Sequence, residues 1–493
     1  MPANILVDND AAGWMGLGIP IAIQYDLAPS AKLIAGFVHG ISGAYQMQAS
    51  AVLRTTVESR PGGRLHMQAV IMDASTQRNR RVIDVDAGSE AGLIPALNSI
   101  VKQISAASTS FSTGNTRALQ AFTAAADTSN LQTRIHQLNA AIDLDPRFGL
   151  AYMLLLNTVA GTGEHNTEPL IAEIAKRRSD FTPIDQARLG EITAQLQHAG
   201  LAERANAGEA VLKLAPNDVD TLVALGVVRF LQGDAKGGQQ FLQRASELSP
   251  GNANIRQHLA RGFIQTKHYK DAEKLIANPT DLAVCFLLQG DLTQANATVA
   301  KVIQSLNSSE LKALFEANWL AIAGQIPKAI ETVEGATFTT RVVQSAGLVQ
   351  IALWQAMTHD FAAAKKSAAR AYELNNTRGS LAAIAQLLTE AEQPVAEWRR
   401  KVESASLDPV SARTLLGYGF FLYGRYSDSA EVWRQILTQS GNTDLHARAM
   451  LAASLDRAGR TDEARKILVQ PFIPEFGDIY APISFNEMRR LIQ

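Results

Sequence analysis

The sequence predicts a mostly α-helical protein, an α-solenoid of about ten helix hairpins preceded by a small α/β domain with a mainly antiparallel sheet. Length is the first reason, because 493 residues exceed the roughly 250 to 300 that one hydrophobic core supports. Composition is the second, since 46% hydrophobic and 19% charged residues are enough to form a core. The third is a change near residues 105–116 from alternating apolar residues to a repeating helical pattern.

The first domain, residues 1–108, has the predicted order β-α-β-β-β-β-α. The clearest strand alternates strictly, with one face formed by Leu65, Met67, Ala69 and Ile71. Pro61-Gly62-Gly63 before it is typical of a hairpin connection. The predicted strands are 5–7, 33–38, 47–58, 64–73 and 80–86, and the predicted helices are 14–27 and 90–106.

Residues 109–115 are predicted to be a linker, because the run from 105 to 116 is small, polar and glycine-bearing. Such a run has few apolar groups to bury. We therefore expect this segment to be exposed and to be the first place that a protease cuts.

Residues 116–470 form the predicted solenoid, and 471–493 form a C-terminal capping segment. Small residues for tight helix packing recur 34, 35, 32, 34 and 34 residues apart, at Ala295, Ala329, Ala364, Ala396, Ala430 and Ala464. Turn residues such as Gly290-Asp291 and Gly424-Arg425 precede most of them, and glycine there provides a left-handed residue that ends a helix.

The unit from 219 to 252 combines Leu225-Gly226 for close helix approach, Gly233-Asp234 for the turn and Pro250 at the end. With these landmarks the chain resembles tetratricopeptide-repeat proteins over 116–470. Two stretches depart from the pattern: the spacing falls to 23 between Lys267 and Gly290, and residues 157–185 lose the landmarks. We expect a shortened unit in the first and irregular packing in the second.

The N-terminal segment resembles the small α/β domain of TolB and of CsgG-like and FlgO-like bacterial proteins. The resemblance is carried by a first strand ending at Asn9, the helix LGIPIAIQYDL, the strand QASAVLRTTVE and the stretch GGRLHMQAVIMDAST. The glycine usual in the third strand is replaced near Thr55, and the preceding helix is shortened to GISGAYQ. The resemblance implies a bacterial protein in which this domain is fused to repeats.

Neither an enzyme nor a metal or cofactor site is predicted. The nine histidines lie at least ten residues apart, the one cysteine, Cys285, sits in an apolar run, and no phosphate-binding glycine loop is complete. Ser309 and Lys312 have a catalytic spacing but open a helix, and Asp84 and Asp86 share one face of a strand, where solvated carboxylates are far commoner than a catalytic pair.

Charge gives no indication of a polyanionic partner. Lys+Arg 46 against Asp+Glu 47 leaves a net charge of −1, and the short basic runs lack interleaved aromatics, so nucleic acid is not a predicted ligand. No stretch reaches the roughly 18 to 20 apolar residues of a membrane span. We expect a cytoplasmic protein as the chain is written, and a periplasmic one if an export signal upstream is missing.

The leading functional prediction is a non-catalytic scaffold that binds a peptide or protein in the concave groove of the repeats. Two alternatives stay open: a periplasmic or envelope-associated assembly component, and an orphaned sensor or regulatory region of a kinase-like or transcription-factor system. The tetratricopeptide register places eight residues along the groove: Phe230, Asn254, Gln257, Arg261, Gln265, Asn318, Tyr418 and Phe421.

Overall fold

The structure is a computed structural model. It describes residues 1–7, 12–33, 35–36, 38, 40–46, 48–62, 64–161, 167–377, 380–392, 394–405, 407–468 and 480–492. The chain divides into two compact units: Met1–Arg229 with Lys236–Ile255, and Phe230–Ala235 with Arg256–Gln493. We describe each unit by itself.

A four-stranded sheet opens the first unit, and its strands lie side by side in chain order. The strands are β1 (Asn4–Leu6), β2 (Ala51–Arg60), β3 (Arg64–Asp73) and β4 (Asn79–Asp86). The first pair is parallel and the other two pairs are antiparallel, so the sheet is mixed but mainly antiparallel, as predicted. Three helices accompany it: α1 (Met15–Leu27), α2 (Ile41–Gln46) and α3 (Leu93–Ile104).

The predicted strand at 33–38 is wrong for the residues that the structure describes there, which have no strand hydrogen bonding. The carbonyl group of Leu33, where this stretch begins, and those of two residues before it have another partner. Asn217 Nδ2 donates to the carbonyl oxygens of Ser30, Ala31 and Leu33 at 3.3, 3.0 and 3.4 Å. The predicted end of the first strand at Asn9 lies outside the described residues.

Paired helices follow in the first unit: α4 (Thr116–Asp127), α5 (Leu131–Leu144), α6 (Gly149–Ala160), α7 (Glu168–Lys176), α8 (Pro183–Leu196), α9 (Leu201–Leu214), α10 (Val219–Leu231) and α11 (Ala235–Leu248). One hydrophobic core joins the sheet to the first of them. Ile19 of α1, Met67 of β3 and Ile100 of α3 belong to the same buried cluster as Phe122 of α4 and Phe148.

The centre of the linker predicted at 109–115 is buried: Phe111, Ser112 and Thr113 are 4%, 4% and 2% exposed, while Thr109, Ser110 and Gly114 are exposed. Ser112 Oγ donates to Asp185 Oδ2 at 2.7 Å, and Thr113 Oγ1 donates to Asp145 Oδ2 at 2.6 Å. Small hydroxyl residues here donate hydrogen bonds to buried carboxylates. Composition alone does not distinguish such a buried segment from an exposed linker. The boundary at residue 108 stays a prediction.

Asp185 collects three buried hydroxyl donors in the first unit. Tyr25 Oη donates to its Oδ1 at 2.5 Å, and Ser112 and Thr182 donate to its Oδ2 at 2.7 and 2.8 Å. Burial raises the pKa of Asp185, and the three donors oppose that rise. Helices α1 and α8 and the segment around Ser112 are thereby joined through one side chain.

The second unit continues with consecutive helix pairs, and α10 and the next helix contribute residues to both units. The helices are α12 (Ala253–Gln265), α13 (Tyr269–Leu275), α14 (Pro279–Gln289), α15 (Leu292–Ser305), α16 (Ser309–Ile322), α17 (Ile326–Glu334), α18 (Arg341–Met357), α19 (Phe361–Leu374), α20 (Leu381–Thr389), α21 (Val395–Ser404), α22 (Pro409–Leu422), α23 (Tyr426–Gln439), α24 (Leu445–Arg457), α25 (Thr461–Ile467) and α26 (Ala481–Ile492). This succession of hairpins is the predicted solenoid-type repeat architecture.

The repeat landmarks have the expected roles. Five of the recurring alanines are at most 1% exposed, namely Ala295, Ala329, Ala364, Ala430 and Ala464. The sixth prediction is wrong, since Ala396 is exposed and the buried residues of α21 are Trp398 and Val402. Turn residues between paired helices have positive φ, at Gly233, Gly290, Gly324, Gly424 and Gly459.

The two irregular stretches also appear. The shortened unit contains α13, which has only 7 residues. In the stretch 157–185, α7 is 9 residues long and a 3₁₀ turn follows it at Arg178–Asp180, while residues 162–166 lie outside the description.

Candidate functional site

Helix α12 carries four of the predicted groove residues along one stripe. Asn254 and Gln257 are exposed, and Arg261 and Gln265 are half-buried. Spacings of three and four residues place these side chains on the same side of successive turns. The opposite side holds the helix in the core through Ile255, Leu259, Ala260 and Ile264.

Arg261 is the charged centre of this stripe in the second unit. Its Nε atom is buried and has no hydrogen-bond partner among the described residues. Burial raises the pKa of Asp281 on α14, and the Arg261 charge opposes that rise. Burial, and then the same charge, lower the pKa of His258. A guanidinium group with an unused N–H beside half-buried groups is suited to a carbonyl or carboxylate acceptor.

The other four predicted groove residues are buried, so the expectation that they are exposed is wrong. Phe230, Asn318, Tyr418 and Phe421 are 3%, 3%, 0% and 7% exposed. Phe230 packs directly on Gly262. A Cβ atom added to Gly262 would lie 2.2 Å from the Cζ atom of Phe230. Phe421 lies edge-on to Tyr426 with ring centres 5.5 Å apart. These aromatics serve helix packing.

Tyr418 is covered by the C-terminal part of the chain. Its ring stacks on that of Tyr480 at 4.2 Å and 10°, lies edge-on to Trp433 at 5.0 Å, and its hydroxyl group is hydrogen-bonded to His446. Tyr480 immediately precedes α26, which belongs to the predicted capping segment 471–493; residues 469–479 lie outside the description.

Helix α26 contacts first helices of hairpins that are far apart in sequence. Asn486 Nδ2 donates to the carbonyl oxygen of Ala321 in α16 at 2.9 Å. On α24, Arg457 bonds Glu487 at 2.6 Å, and Asp456 accepts from Arg490 at 2.7 Å. We call the surface under α26 the α26 seat and define it by Trp319, Ala321, Ile322, Tyr418, Ala449, Asp456 and Arg457. The sequence analysis missed it because no repeat landmark indicates which helices a C-terminal segment contacts.

A cluster with an acid–base appearance lies on the sheet. His66 Nδ1 is 3.0 Å from Asp86 Oδ1, and His66 Nε2 is 3.2 Å from Asp84 Oδ1. The strand register explains why these side chains lie close together, because His66 pairs with Asp86 across β3 and β4. Hydrogen bonding to His66 lowers the pKa of Asp86, and Gln68 and then His66 lower that of Asp84. Both carboxylates are ionised acceptors, which suits ion pairing rather than proton donation at neutral pH.

A cavity of about 330 Å³ in the first unit lies beside α1, α8 and the start of α10. Its polar wall is paired internally, since Arg188 Nη2 bonds Asp218 Oδ2 at 2.7 Å and Asn217 bonds the carbonyl groups after α1. Among the described residues, no group of three or more His, Cys, Asp or Glu side chains is arranged to hold a metal ion. In the same part of the chain no helix is both long and apolar enough to span a membrane.

The comparison with protein families supports the repeat assignment. The tetratricopeptide repeat profile matches residues 229–280, a stretch that includes α12 and α13. This match confirms the resemblance for that stretch. Comparison with the curated proteins finds no match.

Several solved structures are similar at low sequence identity. The structure of Naa15/Naa10 bound to HypK-THB is 14% identical, with 74% of this chain and 70% of that one covered and a TM-score of 0.25. Ypp1 is 11% identical, with 75% and 60% covered and a TM-score of 0.39. The TPR domain of P58(IPK) is 13% identical, with 76% and 97% covered and a TM-score of 0.21. Because these TM-scores are low, we carry nothing from these structures to this chain.

Proposed function

We propose that the protein is a non-catalytic interaction scaffold that binds a peptide or protein segment on the α12 surface of the second unit, formed by Gln257, Arg261 and Gln265. The observation that carries this proposal is the position of Arg261, whose half-buried side chain lies between two glutamines on one side of α12, within the stretch that matches the tetratricopeptide repeat. Helical repeats commonly use the exposed side of such helices to bind other chains.

The chemistry of the surface favours an extended segment with a carboxylate. The Arg261 guanidinium group donates to a side-chain or terminal carboxylate, and the amide groups of Gln257 and Gln265 both donate and accept, as a peptide backbone requires. The buried aromatics leave this surface polar. We therefore expect recognition through hydrogen bonds and charge, with affinity that falls as salt rises.

The role of the α/β domain belongs to the same proposal. Its TolB-like resemblance, its bacterial origin and a docking function beside the repeats follow from the sequence motifs alone. The location in the cytoplasm, or in the periplasm as an envelope-associated component, is likewise an inference from the sequence.

Peptide selection against the immobilised full chain tests the proposal. The selected peptide is titrated by calorimetry into the wild type, Arg261→Ala and a matched control, Arg256→Ala, which removes an exposed arginine from another face of α12. We expect Arg261→Ala to weaken binding by about 1–3 kcal/mol, roughly 5- to 150-fold, and Arg256→Ala to change it less than about twofold. Equal loss in both variants, or in neither, rejects the α12 surface.

A further inference from the structure

Helix α26 is enclosed far more than an ordinary terminal helix. Ala481, Ser484, Phe485 and Met488 are 0% exposed, and Ile483 is 2% exposed. Within α26 only Arg490 is classed as exposed. A helix that closes the end of a repeat stack needs one buried face, whereas the first half of α26, Ala481–Phe485, is buried on all sides.

Two apolar stripes of α26 contact different parts of the second unit. Phe485, Met488 and Ile492 join a cluster with residues of α14 and α16, including Trp319 and Ile322. Ile483 and Leu491 join the cluster of α22 and α24. The first stripe has the i, i+3, i+7 spacing of anchor residues in a helix bound to a groove.

Polar contacts fix the position of the helix along its axis. The Asn486 amide group bonds the main-chain oxygen of Ala321, while Glu487 and Arg490 bond Arg457 and Asp456 of α24. The carboxylates Glu487 and Asp456 are 15% and 12% exposed, whereas their arginine partners are 40% and 41% exposed, so each ion pair combines a shielded acid with an exposed arginine. Hydrogen bonding from Arg490 lowers the pKa of Asp456.

We propose that α26 is an intramolecular ligand of the α26 seat, and that an amphipathic helix from another chain binds there in its place. This inference rests on the proposed scaffold role. The partner helix has the chemistry of α26: apolar side chains at i, i+3 and i+7, an amide at i+1, an acid at i+2 and an arginine at i+5, where i corresponds to Phe485. Arg457 and Asp456 select that charge order, since a helix with the acid and arginine exchanged places like charges together.

The test uses the full chain and a fluorescein-labelled peptide with the sequence of residues 480–492, with binding followed by anisotropy. Asn486→Ala combined with Glu487→Ala weakens the hold of α26 on its seat but leaves the seat and the apolar anchors intact. We expect this variant to bind the peptide at least tenfold more tightly than the wild type does. Glu373→Ala, which removes an exposed pair with Arg370, is the control and behaves as the wild type.

Two further variants keep the result interpretable. Glu487→Gln preserves side-chain volume, so it gives a smaller gain of about threefold with little disturbance of folding. The second variant adds Arg457→Ala to the double variant. It should bind the 480–492 peptide at least fivefold more weakly than the double variant does. A peptide in which alanine replaces the glutamate equivalent to Glu487 should bind both proteins equally. Equal peptide binding by the wild type and all loosened variants, or unfolding of both Glu487→Gln and the double variant, shows that α26 is permanent core and overturns the proposal.

Failure here is distinguishable from failure of the proposed function. Arg261→Ala lies outside the α26 seat, so it leaves binding of the 480–492 peptide unchanged. Suppose that α26 does not exchange while Arg261→Ala still weakens binding of the selected peptide. The scaffold role then stands, and only the α26 seat is rejected as a binding surface.

Discussion

Asp26 is a fully buried acidic residue of the first unit. Its side chain is 0% exposed, and neither carboxylate oxygen has a hydrogen-bond partner among the described residues. Burial raises the pKa of Asp26 to about 8. The folded chain therefore holds a proton on this residue at neutral pH that the unfolded chain has released.

The sign of the resulting pH dependence is fixed. Because the folded-state pKa of about 8 lies above the unfolded value of roughly 3.9, the free energy of unfolding falls as pH rises from about 4 to about 8. Asp26→Asn removes the titration, so the variant should gain on the order of 1–3 kcal/mol over the wild type by pH 8.5 and much less at pH 4. Urea denaturation followed by circular dichroism measures the free energy of unfolding of both proteins at each pH.

Asp127→Asn is the control for this prediction, because Asp127 is exposed at the end of α4. It should shift stability by less than about 0.5 kcal/mol at any pH. A difference between Asp26→Asn and the wild type that stays constant from pH 4 to pH 8.5 contradicts the assignment.

Gly262 is a residue that the core requires to be small. A Cβ atom there would lie 2.2 Å from Phe230 Cζ, so Gly262→Ala should lower the free energy of unfolding by about 1–3 kcal/mol. Gly190 in α8 has nothing within 4 Å of the same position, so Gly190→Ala should be neutral or stabilising by up to about 1 kcal/mol. Thermal melts compare the two variants, and similar losses in both would place Phe230 away from Gly262.

At the residue scale, the register predicted the exposure of the α12 residues better than that of the other groove candidates, whose assignment to a groove stays a prediction. Gln257 and Arg261 keep an accessible face, whereas Tyr418 and Phe421 have the right helix register but are covered. Register predicts which side of a helix a residue occupies. It does not predict what covers that side, and Tyr418 is covered by Tyr480, which lies outside its own repeat.

At the scale of elements, the segment 109–115 behaves as part of a core. Phe111 N–H donates to Asn98 Oδ1 at 3.1 Å, and Ser112 and Thr113 bond buried carboxylates. Limited trypsin and thermolysin digestion of the native chain should therefore leave this segment intact at the first cut, contrary to the expectation from composition. An earliest cleavage between residues 109 and 115 would show that these contacts open readily.

Helix pairs were predictable because each repeat supplies its own local signals. The buried alanines and positive-φ turn residues recur at a nearly fixed spacing, and the match at 229–280 begins within the unit 219–252, which carries several repeat landmarks. The strand at 33–38 failed because its apolar run could not reveal that Asn217, 184 residues after Leu33, bonds the Leu33 carbonyl group. Non-local partners of this kind leave no periodic signal.

At the scale of the whole molecule, the two units should unfold in separable steps. Four of the five tryptophans, Trp319, Trp354, Trp398 and Trp433, lie in the second unit, whereas circular dichroism reports helices of both. We expect the fluorescence and dichroism transitions in guanidinium chloride not to coincide. Gly262→Ala should shift the fluorescence transition, whereas Asp26→Asn should shift only the dichroism transition of the first unit. If the two transitions coincide and shift together in both variants, the whole chain unfolds as one cooperative unit.

Architecture at this scale followed from length and period, while the location of a binding surface did not. A count of repeats cannot tell which helix faces remain open, since this depends on where segments outside the repeats lie. Asn318 illustrates the point, because it sits at a groove position of α16 and is 3% exposed.

Hydrogen exchange of the full chain, with and without a selected peptide, tests the scaffold assignment most directly. If the peptide binds on the α12 surface, amide protection should increase within Ala253–Gln265 and remain unchanged in the sheet strands. Arg261→Ala should abolish that increase at the same peptide concentration, and Arg256→Ala should preserve it. Protection confined to the sheet, or protection of α12 that persists unchanged in Arg261→Ala, would contradict the account.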